Sequence, residues 1–180
     1  MTRKKTGEAA RRRSPAKVTP AKIVVVIEDD RWRADPAVLV LIRRAARLAL
    51  TLGVGEKSVG RSGSKDPVVT ILLSSDARLK ALNTRFCAKR KAANVLSFPS
   101  ADPDYLGDIA IAHGVVAREA HRQNKALSAH AAHMAAHGVL HLTGHDHQDA
   151  REAGAMEALE RRILGRLGLT DPYAETGKAA

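Results

Sequence analysis

Three histidines set around a glycine, in the segment His137-Gly138-Val139-Leu140-His141-Leu142-Thr143-Gly144-His145-Asp146-His147, constrain this chain more than any other feature. On a helix, His137 and His141 lie one turn apart on one face, so both rings reach a single ion. Gly144 takes positive φ readily, which ends the helix and turns the chain back. His147 then arrives from the turn as a third ligand. Three neutral imidazoles with one position left for water describe a catalytic zinc site, because a structural zinc normally has all four positions filled by protein. One zinc per chain is expected.

The chain holds eight histidines, and His130, His133, His137 and His141 also form a row at helical spacing that would suit a polar surface stripe. Such a stripe leaves Gly144 and His147 unaccounted for. His133 stays open as a competing ligand, and spacing does not fix the direction of His145. The pattern H-x-x-x-H-x-x-G-x-x-H is shared with metzincin peptidases, which carry a glutamate base directly after the first histidine. Here that position is Gly138, so the metallopeptidase reading lacks its proton acceptor. A zinc-bound water acidified to a pKa of about 7 still suits hydrolysis at a carbonyl or phosphoryl centre.

HGVLHLTGHDH resembles the HGxLHLxGxDH signature of the YbeY family, metal-dependent single-strand endoribonucleases that act in ribosomal RNA maturation. Two upstream blocks agree: Leu82-Asn83 through Asn94-Val95-Leu96-Ser97-Phe98-Pro99 is similar to the family's LNxxYR…VLSFP block, and Leu106-Gly107-Asp108-Ile109 to its LGDI strand. The resemblance covers roughly residues 70 to 168. It implies His137, His141 and His147 as metal ligands and a zinc-dependent endoribonuclease acting in the cytoplasm. It also implies processing of ribosomal RNA, at the 3′ end of the small-subunit rRNA, beside the maturing ribosome or small-subunit proteins. The family's first block carries an arginine, held to act in catalysis, after its tyrosine; here Phe86 is followed by Cys87, and Arg90 and Ala93 replace an aspartate and a threonine. A ribosome-assembly factor with weak or lost cleavage is therefore a second reading. Cys87 is either a small buried hydrophobe or a soft fourth ligand. Arg85 and Lys89 flank it with positive charge. No catalytic residue or general base is assigned.

At 180 residues the chain is long enough for one domain with a sizeable core. A single cysteine excludes an internal disulfide and fits a reducing compartment. No apolar run reaches 18 residues, so no membrane span is expected, and the N-terminus lacks the apolar segment of a secretory signal. The net charge of +11 favours an anionic partner, and residues 1–21 supply +6 of it from seven Lys or Arg against Glu8. With Pro15 and Pro20, this stretch reads as a disordered basic arm adding salt-sensitive attraction to RNA, or else as a transit peptide. Lys89, Arg90 and Lys91 form the densest basic cluster inside the domain, read as a candidate nucleic-acid contact holding phosphates without reading sequence. Five aromatic residues are too few for a surface of stacked bases.

Periodicity predicts strands over 22–27, 68–73, 95–99 and 106–112, the last two joined as a hairpin. Helices are predicted over 36–52, 76–86, 114–125, 128–143 and 149–165, with Ser75 as an N-cap and a loop over 53–65. The order βαβαββααα predicts an α+β domain over residues 22–169: a small mixed four-stranded sheet packed with about five helices, the metal site on a helix and the turn after it. A flexible tail is expected over 170–180. The histidine helix, rich in Ala129, Ala131, Ala132, Ala135 and Ala136, should be central, with Gly138 marking close packing or room for substrate. Asp146 is either an acceptor for an imidazole N–H or a cap for the next helix.

Overall fold

Runs of β-branched and aliphatic residues build the sheet. In the computed structural model, which describes residues 22–53, 68–102 and 104–174, the strands are β1 (Lys22–Ile27), β2 (Val68–Ser74), β3 (Val95–Pro99) and β4 (Tyr105–Ala112). Their order is β1-β2-β4-β3, with β1, β2 and β4 parallel and β3 antiparallel on the outer edge of β4. The mixed sheet and the 95–112 hairpin match the sequence expectation. The basic arm and residues 54–65 of the expected loop lie outside the described residues.

Alternation along the strands sorts the core into two layers. Val69, Ile71 and Leu73 of β2 and Ile109 and Ile111 of β4 join the main apolar cluster, whereas Ala110 and Ala112 pack on the opposite face with Leu79. The first face is covered by helices α1 (Pro36–Gly53) and α4 (Leu127–Leu142), with α5 (Ala150–Arg166) packed on those two helices, and the second by α2 (Asp76–Cys87). Helix α3 (His113–Arg122) bridges them, with Val116 in one cluster and Val115 against the other. Ser75 caps α2 by accepting from Arg78 N, and Asp149 caps α5 by accepting from Glu152 N, each satisfying an orphan donor of the first turn.

Two expected boundaries move. Helix α3 stops at Arg122 rather than 125 because Asn124 adopts a left-handed φ of 50°, and Lys125 N then bonds back to Ala120 O at 2.9 Å. The expected loose tail is held over residues 171–174: Lys125 Nζ donates to Pro172 O at 2.8 Å, and Arg161 Nε pairs with Asp171 Oδ2 at 3.3 Å.

Helix α4 is enclosed along most of its length, its alanines at 131, 132, 135 and 136 fully buried against α1 and the sheet. Gly138 marks close packing rather than space for substrate, because a Cβ there would lie 2.8 Å from Ile109 Cγ2. Ser97 Oγ on β3 donates to Gly138 O at 3.2 Å, which fixes the edge strand beside the histidine end of the helix. No helix among the described residues is long and apolar enough to cross a membrane.

Candidate metal centre

The end of α4 is built to return the chain toward its own last turn. Gly144, at φ 92°, follows Thr143; Gly144 N bonds to His141 O and His145 N to Leu140 O, both at 3.0 Å. This is a Schellman closure, which needs a residue at ease with positive φ. The Asp146 carboxylate then accepts from His147 N at 2.8 Å and Gln148 Nε2 at 2.5 Å. Asp146 thus orders the turn and meets no imidazole, and the cap of α5 is Asp149.

The turn brings His147 back to His137 and His141. One ring nitrogen from each of the three lies within 4.8 Å of the others. His137 Nε2 and His141 Nε2 approach to 3.0 Å, close to the ~3.3 Å separation expected of two nitrogens each ~2.05 Å from one tetrahedral ion. The far nitrogen of each helical ring is committed elsewhere. His137 Nδ1 lies 2.7 Å from Glu160 Oε1, and His141 Nδ1 lies 3.1 Å from the His145 carbonyl. A carboxylate and a carbonyl only accept, so both rings donate from Nδ1 and present a bare Nε2, the tautomer that a metal ligand requires. Burial above all pushes the His141 imidazole below its usual range and favours that neutral form. The donor set therefore fits zinc: three grouped imidazole nitrogens, the third from an exposed residue, His147.

Glu160 is the residue that the spacing of the histidines does not reveal. It is fully buried on α5, yet it accepts from His133 Nε2 at 3.0 Å, from His137 Nδ1 and from the Tyr173 hydroxyl. Burial alone would raise its pKa, but the hydrogen bonds from His133 and His137 outweigh it and hold the carboxyl well below the ordinary range. Burial and the Glu160 carboxylate push the Tyr173 phenol up, so it stays a donor. The only clue was a glutamate on the inward, apolar stripe of α5, between Met156 and Ile163.

Three other histidines are engaged away from the three rings. His133 turns to Glu160, His130 pairs its Nε2 with Glu119 Oε2 at 2.9 Å, and His145 Nε2 donates to Gly53 O at 2.8 Å. Ile109 fills the space beside Gly138, so the position of the metzincin glutamate has no room for a side chain.

The basic cluster lies on the loop between α2 and β3. Ala88, at φ 55°, ends α2, Lys89 N bonds to Asn83 O at 3.2 Å, and the buried Asn83 side chain donates to Lys91 O at 2.7 Å. The backbone is thereby fixed while Lys89, Arg90 and Lys91 face solvent. Cys87 is exposed at the last turn of α2, which overturns its reading as a small buried hydrophobe, and it is not among the grouped ligand atoms. By spacing it continues the i, i+4 row of Leu79 and Asn83, but it is the last residue of α2 and is left exposed where the helix ends.

A family model described as Endoribonuclease YbeY matches residues 43–168. The Endoribonuclease YbeY of Azorhizobium caulinodans is 42% identical over 159 residues, spanning 85% of this chain and 96% of that protein. The one from Maricaulis maris is 42% identical over 151 residues, spanning 83% of this chain and 89% of that protein. The solution structure of TM1509 from Thermotoga maritima shares the fold, with a TM-score of 0.51 at 21% identity over 84% of this chain and 98% of that one. With the matched region running from α1 through α5 and enclosing the histidine helix and its turn, the chain belongs to the YbeY family of endoribonucleases.

Proposed function

We propose that this endoribonuclease is zinc-dependent and single-strand-specific, and that it processes the 3′ end of small-subunit rRNA beside the maturing ribosome in the cytoplasm. The observation that carries the metal part is the convergence of ring nitrogens from His137, His141 and His147 within 4.8 Å. Zinc, when bound, supplies a Lewis acid and a water acidified to a pKa of about 7.

The chain's own residues do the positioning. Glu160 and the His145 carbonyl hold the two helical imidazoles with Nε2 bare, and the Asp146 turn sets His147 opposite them. Ser97 ties the edge strand to the Gly138 carbonyl and so sets β3 beside the site. Lys89, Arg90 and Lys91, exposed on the loop leading into β3, hold the phosphates of a single strand without reading its bases. Contacts through exposed charges rather than stacked aromatic rings suit processing at a position chosen by the ribosomal particle.

A second reading, an assembly factor with weak cleavage, is favoured by one observation: an exposed thiol, Cys87, stands where the family block has an arginine. Metal analysis paired with cleavage of single-stranded and duplex RNA separates the two. The nuclease reading expects about one zinc per chain, cleavage confined to single strands, and loss of both in His141→Ala but not in His130→Ala. Zinc retained in His147→Ala and lost in His133→Ala would replace the ligand set. Full zinc with no cleavage at any enzyme concentration would leave the assembly factor.

A further inference from the structure

The acid that orients His137 is itself held from the far end of the chain. Glu160 Oε2 receives both His133 Nε2 and the Tyr173 hydroxyl, while Oε1 receives His137 Nδ1 at 2.7 Å. Tyr173 stands edge-on to the His133 ring at 5.7 Å, and the Arg161 guanidinium lies 4.8 Å over its face. Its backbone is anchored on both sides: Tyr173 N donates to Asp171 Oδ1 at 2.9 Å, and the Pro172 carbonyl accepts from Lys125 Nζ. With His137, His147, Met156 and Glu157, Tyr173 lines a cavity of about 260 Å³ at the metal centre. Through Tyr173, the segment 171–174 therefore supplies one wall of that cavity.

We propose that residues 171–174 are a clasp on the metal centre, in which Tyr173 positions His137 through Glu160, so that metal loading and docking of the segment stabilise each other. The proposal rests on His137 being a ligand. A buried carboxylate with three donors has one orientation that satisfies all of them. Removing the Tyr173 donor leaves Oε2 with a single partner and frees the carboxylate to rotate, and His137 then loses the acceptor that fixes its tautomer and ring plane. Coupling of this kind is reciprocal: whatever factor Tyr173 contributes to metal affinity, the metal returns to the docked state of the segment. Tyr173 touches neither the metal nor the substrate in this scheme and is a positioning residue.

The test uses the full chain stripped of metal by chelation and titrated with zinc against a chromophoric chelator, together with hydrogen exchange at the Tyr173 and Ala174 amides. Partners of metal ligands typically contribute about 10–100-fold to affinity, and Tyr173 acts one step further out. Tyr173→Phe keeps the ring contacts and should weaken zinc binding about fivefold, while the metal-free protein stays cooperatively folded with a somewhat lowered melting temperature. In the wild type, zinc should slow exchange at both amides, and in Tyr173→Phe that slowing should shrink by a similar factor. A wild type that binds no zinc overturns the metal reading itself. Tight wild-type binding with an unchanged dissociation constant in Tyr173→Phe overturns the clasp and leaves the metal reading in place. Exchange at the two amides that ignores zinc also overturns the clasp, whatever the affinities.

Discussion

The candidate metal centre and the loop between α2 and β3 are both held in their backbones, but only the first also holds its side chains. Each helical imidazole of the metal centre has a second partner, Glu160 for His137 and the His145 carbonyl for His141. In the loop, Asn83 and the left-handed Ala88 set the chain path, yet among the described residues Arg85, Lys89, Arg90 and Lys91 form no salt bridge with any carboxylate. Arg85 only stacks over Phe86, 5.2 Å from its ring centre. Geometry is stored at one place and charge at the other. Loss at the first should be close to all-or-none, because ligands act as a set; loss at the second should accumulate in small steps, because screened charges act nearly independently.

Cys87→Arg attacks this division most directly. Negative charge grows on phosphoryl oxygens during strand cleavage, and a positioned guanidinium stabilises it where a thiol cannot. Cys87 is exposed at the end of α2, so the longer side chain enters without disturbing the core. Cleavage of single-stranded RNA should rise at least tenfold, or about 1.4 kcal/mol of transition-state stabilisation, at equal zinc occupancy and equal salt. Faster cleavage in the wild type than in Cys87→Arg would mean that Arg85 or Lys89 already supplies a positioned charge, and the loop would then store geometry too.

Replacing Lys89, Arg90 and Lys91 together with alanine should act more gently. RNA affinity should drop several-fold near 0.1 M salt, and the slope of log K against log salt should flatten by up to about 2, since each single-strand phosphate neutralised contributes about 0.7. Zinc content should stay the same. Deleting residues 1–21 offers the companion measurement, with further flattening expected if the arm touches RNA. A triple variant that lost zinc would show the loop and the metal centre to be one unit.

What the sequence made legible is what is local. Helical spacing brought His137 and His141 to one face, and Gly144 announced the turn that returns His147, so the grouping of the three rings was visible before any coordinates. The strand pattern was legible for the same reason, since β2 and β4 are written as short aliphatic runs, burial alternating along most of β2 and continuous over Ile109–Ala112 in β4, which is covered on both faces. Glu160 and Tyr173 were not legible, because each meets His137 or His133 across long stretches of chain with no periodic mark. The exposure of Cys87 was hidden likewise: a free cysteine is most often buried, and its place in the i, i+4 row after Leu79 and Asn83 points the same way until the helix is seen to end there. The held segment 171–174 misled because polar composition near a terminus resembles a loose tail until Lys125 and Arg161 are seen to grip it.

Acid should separate the two regions by the smallest margin, acting on stability through buried imidazoles and leaving the loop alone. His130, 4% exposed, and His113 both have a pKa below the ordinary 6.5, in each case chiefly because burial disfavours the charged ring. Glu119 pulls His130 the other way, while His133 and Lys125 add to the depression. The Nδ1 atom of each ring is buried with no hydrogen-bond partner, so a proton there would be an N–H without an acceptor. Above about pH 6.5 both folded and unfolded chains hold these rings neutral, and the full stability is present. As pH falls below that value the unfolded chain takes up the protons first, and stability is lost down to the depressed folded values. The urea midpoint of metal-free protein should therefore be flat from pH 8 to about 6.5 and decline toward pH 5.5. His130→Gln keeps a donor for Glu119 and removes the titrating ring, so its decline should be shallower. The stretch from Arg85 to Lys91 contains no histidine or carboxylate, and its charge does not enter. An equally steep decline in His130→Gln would assign the acid sensitivity to other groups, and a flat wild-type profile would mean that the buried rings take up protons in place.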